Sequence, residues 1–146
     1  MEKLMNELIE KLHEDGCSCV VSNNEVRTYT KRGVDDLYNL LTSEPSFLAG
    51  AEVADRVVGK AVAAMLVKGG VKNVYADMIS LSALTLLRNA GIDTDYDQLV
   101  TYIKNTRLTD WCPVEAMCYN EQTVDEILPI VQQFVEDKES FFKAQS

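Results

Sequence analysis

Val71-Lys72-Asn73-Val74-Tyr75-Ala76-Asp77-Met78-Ile79, running straight into Ser80-Leu81-Ser82-Ala83-Leu84-Thr85-Leu86-Leu87-Arg88-Asn89-Ala90-Gly91, is the stretch on which the fold turns. The first nine residues follow the stop Gly69-Gly70, and Val74, Ala76 and Met78 stand among β-prone neighbours, which predicts a strand over 71–79. Ser80 or Ser82 offers a side-chain oxygen to the orphan amides of a helix start. Leu81, Leu84 and Leu87 then recur at helical spacing until Asn89-Ala90-Gly91 stops the run. Upstream, Val53, Val57, Ala61, Ala64 and Met65 form a narrow stripe of small apolar groups, which predicts a core helix over 53–68 capped by Gly69-Gly70. Helix, strand and helix in this order imply a layered α/β sheet.

Outward from that centre, Leu4, Leu8, Ile9 and Leu12 mark an N-terminal amphipathic helix stopped by Asp15-Gly16. Cys17–Ser22 and Glu25–Thr30 read as a β-hairpin, since Asn23-Asn24 between them tolerates the positive φ of a tight turn. Val34, Leu37, Leu40 and Leu41 predict a short helix after Gly33, broken into a loop by Ser43-Glu44-Pro45-Ser46. Beyond Gly91, Ile92–Ile103 reads equally as strand or short helix, and Asn105–Trp111 as loop. Thr123-Val124-Asp125-Glu126 is a capping box that opens a final helix over about 123–143, which Pro129 is expected to kink or restart. With no repeat, low-complexity tract or long linker, residues 1–146 are expected to form one domain with this helix packed on it.

The 146 residues suffice for a real core without disulfides or metal, and no apolar run approaches the length of a membrane span. A net charge of −9 argues against nucleic acid and anionic lipid as partners. The acidic, amphipathic N-terminus lacks the pattern of a signal peptide, so a cytoplasmic location is expected and the four cysteines are read as reduced thiols.

The stretch Val74–Ile92 resembles the strand and helix that carry the P-C-x-x-C zinc motif of the cytidine-deaminase superfamily. Alignment on Asn89-Ala90-Gly91-Ile92 puts Ser80 and Ala83 at the two cysteine positions. Gly59-Lys60-Ala61 is similar to the H-A-E motif that supplies the third ligand and the proton-shuttling glutamate. More closely, Val53–Gly70 and Trp111–Cys118 resemble an uncharacterised prokaryotic family, a domain of unknown function placed in the deaminase-like fold. The resemblance extends from the hairpin to Cys118. It implies a three-layer α/β/α cytidine-deaminase-like mixed sheet with a C-terminal helical appendage, and no established activity. A catalytic zinc needs His or Cys ligands and a carboxylate to move protons, and glycine, serine and alanine supply neither. Zinc deamination is therefore not expected, and no cofactor is implied.

Three groups of residues carry candidate chemistry. In Trp111-Cys112-Pro113-Val114-Glu115-Ala116-Met117-Cys118, Pro113 suits a first helical position and leaves Cys112 at the N-cap, where the helix field lowers a thiol pKa. Cys112 is the candidate nucleophile or redox thiol and Cys118 its redox partner; plain core packing is the competing role. Lys60 interrupts an apolar helix right after Gly59, which permits close backbone approach. It is read as an anion binder or base, against a lysine that snorkels or pairs with Asp55 or Asp77. In the deaminase-like layout Lys60, Asp77 and Ser80 converge on one cleft, with Asp77 as orienting carboxylate and Gly59, Lys60, Ser80 and Ser82 as ligand-binding residues.

Cys17 and Cys19 are expected on one strand face, directed to the core. With Cys112, Cys118 and His13 they make a metal site conceivable, but the spacings are not those of a zinc ribbon and no metal is assigned. The leading reading is a protein that binds a small anionic or nucleotide-like molecule. Its alternative is a non-catalytic interaction or regulatory module, and a homo-oligomer through the C-terminal helix fits either.

Overall fold

The computed structural model describes residues 2–14, 16–30, 34–103 and 113–145. The loop expected over 105–111, and Cys112, lie outside them. A five-stranded mixed sheet forms the middle layer in the order β2 (Val26–Tyr29), β1 (Cys19–Ser22), β3 (Glu52–Val58), β4 (Asn73–Ser80), β5 (Asp93–Val100). β1 runs antiparallel to both β2 and β3, whereas β3, β4 and β5 are parallel. The parallel trio needs crossovers, supplied by α4 (Lys60–Gly69) and α5 (Leu81–Asn89), which pack side by side. The hairpin turns at Asn24, whose φ is 66°, and Asn23 Nδ2 ties it to the carbonyls of Phe47 and Ala49.

Helices cover both faces at the centre of the sheet, whereas β2 and β5 leave much of their length exposed. On one face, Leu8 and Leu12 of α1 (Glu2–Glu14) bury against Cys17, Val20 and Ala54. Arg56 fastens that helix, its guanidinium donating to the carbonyls of Leu12 and Cys17 near the negative helix end. On the other face α4 is the hub. Its apolar residues meet α2 (Asp35–Ser43), α3 (Pro45–Leu48), α5, α6 (Pro113–Cys118) and α7 (Val124–Gln145). The fold is thus the three-layer α/β/α mixed sheet with a C-terminal helical appendage. No helix among the described residues is long and apolar enough to cross a membrane.

Several expectations are corrected. Residues 52–58 form the central strand, and the helix expected from Val53 begins at Lys60. Val53, Ala54 and Val58 are fully buried because helices cover both faces of β3, so the segment has no polar alternation to betray a strand. The region 92–103, left open between strand and helix, contains β5. The loop expected at Ser43–Ser46 includes the start of the short helix α3, with Pro45 in its first turn. α7 is one helix running through Pro129, opened by the Thr123–Glu126 box. Cys17 and Cys19 do not share a face: the chain bends at Ser18 before β1, leaving Cys17 against α1 and Cys19 in the opposite core.

Candidate ligand-binding site

The end of β3 sets the geometry. Gly59 is extended (φ −98°, ψ −174°), and α4 starts on the next residue, so the first-turn amides of α4 emerge at the strand's C-terminal edge. One strand over, Ser80 ends β4 and caps α5, its Oγ accepting from the Ala83 amide at 3.2 Å. Two helix N-termini with their partial positive charge therefore open onto the same place.

A carboxylate fills it. Glu115 on α6 is 6% exposed, and its Oε2 accepts the Lys60 backbone N–H at 2.7 Å. The Ala61 amide also donates to it, and Ser80 Oγ lies 3.5 Å from Oε1. Gly59 provides the space: a Cβ there would stand 2.6 Å from Glu115 Cδ and within 2.8 Å of both carboxylate oxygens. Burial pushes the Glu115 carboxyl above its usual range, opposed by the Lys60 and Ala61 amides and by the Lys60 charge. The Lys60 side chain, also buried, donates from Nζ to the Tyr119 carbonyl at 3.1 Å. Two polar links thus join α4 to the segment after Pro113.

Beside this junction lies a cleft of about 420 Å³. Lys60, Ser82, Thr85 and Asn89 line it from the core helices, and Tyr102, Glu115, Tyr119 and Gln122 from the segments around α6. Leu81 and Tyr119, each more than half exposed, also line it.

Of the residues singled out in the sequence, Gly59, Lys60, Ser80 and Ser82 come together here. Asp77 does not. It lies on the α1 side of the sheet, accepting from Tyr75 Oη at 2.9 Å and bonded to His13 Nε2 at 2.7 Å. Side chains alternate along a strand, so residues 77 and 80, an odd number apart, project to opposite faces. Cys118 is wholly buried in the core, which shields it from solvent, and its expected partner Cys112 lies outside the described residues. Lys60 pairs with neither Asp55 nor Asp77, since a backbone carbonyl takes its ammonium.

The family description "Domain of unknown function (DUF1893)" matches residues 7–135. The chain belongs to the DUF1893 family. Among solved structures, a DUF1893 family protein of Thermotoga maritima superposes with a TM-score of 0.85 at 23% identity, over 91% of this chain and 90% of that one, which shows a shared fold. RibD of Acinetobacter baumannii is far more distant, with a TM-score of 0.42 at 17% identity, over 65% of this chain and 34% of RibD. No curated protein matches the sequence.

The side chains of this DUF1893 chain do not fit the zinc of a deaminase. Gly59 has no donor atom, Ala83 is a buried methyl group, and the Ser80 hydroxyl is engaged as a helix cap. Among the described residues no group of three or more His, Cys, Asp or Glu side chains could hold a metal ion. The residue missed in the sequence is Glu115. Its signal is positional: Val114 and Cys118, four apart, define the inward face of α6, and Glu115 lies three before Cys118 on that same side.

Proposed function

We propose that this DUF1893 chain is a small-molecule-binding domain and that its ligand is nucleotide-like, with a ring held against Tyr102 and Tyr119 and an anionic group beside the Lys60 ammonium. The observation that carries the reading is the pairing, in one cleft, of a buried lysine with an aromatic wall and the hydrogen-bonding side chains Ser82, Thr85, Asn89 and Gln122. A bare anion is disfavoured, because the Glu115 carboxylate already occupies the amides of α4. Cys112 precedes Pro113 and is three residues before Glu115, so it is the candidate thiol for chemistry at this cleft.

Amide shifts recorded by NMR during titration with a nucleoside, a nucleoside monophosphate and inorganic phosphate test this reading. Binding in the order monophosphate, nucleoside, phosphate is expected, with shifts centred on Ser82, Thr85 and Tyr119. Lys60→Met should remove the preference for the monophosphate. Silence of those amides to all three compounds overturns the reading and favours a protein partner on the exposed Leu81 and Tyr119.

A further inference from the structure

The residues that would hold zinc in a deaminase-like site are missing here, yet the place is filled. We infer that the Glu115 carboxylate is an internal ligand that has taken over this place, binding the first turn of α4 and the Ser80 cap of α5 and so clasping α6 to the core; without it, the same place accepts a small free carboxylate such as formate or acetate.

Four observations combine. The carboxylate lies at hydrogen-bonding distance from the Lys60 amide, and the Ala61 amide also donates to it. These are N–H groups with no partner inside their own helix. Ser80 Oγ, at the start of α5, stands near the other oxygen. Gly59 leaves a hollow that any Cβ would fill, so the backbone is shaped around the carboxylate and not merely adjacent to it. Finally, α6 has only six residues, too short to hold its own position, and contributes just Val114 and Cys118 to the apolar core. Its polar fastening comes from Glu115 and, one turn later, from the Tyr119 carbonyl on Lys60 Nζ.

The outer wall of the cleft depends on that clasp, since Glu115, Tyr119 and Gln122 all come from this segment. The inference stands on the geometry of the helix starts and holds whatever ligand the cleft takes. An anion at a helix N-terminus is a familiar pairing. Here the anion is a side chain, so the full chain needs no ion to complete the site.

The test uses the full chain, wild type and Glu115→Ala, titrated with sodium formate and acetate against sodium chloride at matched ionic strength, with the Lys60 and Ala61 amides read by NMR. In Glu115→Ala both amides are expected to exchange about tenfold to a hundredfold faster than in wild type, the size of a lost charge-assisted hydrogen bond. Formate should shift them saturably in the millimolar range and slow their exchange. Wild type should show no saturable shift, because Glu115 is in place. Unchanged exchange in Glu115→Ala, a variant that ignores formate, or a wild type that responds equally overturns the inference. Should Glu115→Ala fail to fold, Glu115→Met, which has the length of Glu and no oxygen acceptor, serves instead: faster exchange of the same two amides supports the clasp, and wild-type protection refutes it. A chelator is expected to leave the wild-type melting temperature unchanged, and a drop would mean that a metal holds this site after all.

Discussion

Asp55 and Glu115 are buried to nearly the same depth, 8% and 6% exposed, yet their surroundings differ in sign. Glu115 faces two helix starts and the charge of Lys60. Asp55, in the middle of β3, is bonded by the amides of Arg56 and Val57 and by the Cys19 thiol opposite it, and the like charge of Asp77 adds to the rise of its carboxyl. Burial dominates, and the Asp55 carboxyl is pushed up to about 7. Cys19 is driven well above the usual thiol range, first by burial and then by Asp55 and Asp36. Burial raises both carboxyls; the Lys60 charge beside Glu115 opposes that rise, whereas the Asp77 charge adds to it at Asp55.

That contrast predicts the largest effect. Between the ordinary value of 3.8 and about 7, the folded chain holds a proton on Asp55 that the unfolded chain releases. Stability therefore falls as pH rises through this window and levels off above it, by at most about 4 kcal/mol. Asp55→Asn, which keeps an acceptor for the two amides, should flatten most of the slope and be more stable than wild type at pH 8. Urea unfolding at pH 5 and pH 8 reads both, and a wild type equally stable at the two values would show that Asp55 is better compensated than its neighbours imply.

At Glu115 the next effect is steric. Gly59→Ala drives a methyl group into the carboxylate and should cost about 1–3 kcal/mol, as overpacking in a well-filled site does. The same change in a Glu115→Ala background should cost clearly less, because the colliding group is gone. Additive costs would mean that Gly59 matters for its backbone alone and that the hollow is not shaped for Glu115.

How much of this is legible in the sequence follows from which contacts are local. β4 and α5 can be read directly, because a glycine stop, a strand pattern and the Ser80 cap are all signals within a few residues. β3 hides, since its polar residues Glu52, Asp55 and Arg56 follow no period of two, and the stripe Val53, Val57, Ala61 fits helical spacing across a strand–helix boundary at Gly59. Lys60 and Ser80 can be placed together from the resemblance, whereas Glu115 cannot, because its partners lie 55 and 35 residues away and only the tertiary fold joins them. Asp77 is the instructive case. Its separation of three residues from Ser80 contradicts a shared cleft on strand periodicity alone.

The smallest effect is expected at that residue. The Asp77–His13 contact lies at the surface, with side chains 25% and 48% exposed, and such pairs contribute under about 1 kcal/mol. Asp77→Asn keeps an acceptor for the Tyr75 hydroxyl, so little packing is lost. The variant should therefore unfold within about 1 kcal/mol of wild type, and the amides of Lys60, Ala61 and Ser82 should keep their shifts, since the sheet stands between them and the change. Measured on one sample, these two readouts separate the faces of the sheet. Movement of the Lys60 amide in Asp77→Asn would mean that β4 transmits a change on the α1 side to the Glu115 junction, and the two carboxylate environments would have to be treated as one coupled system.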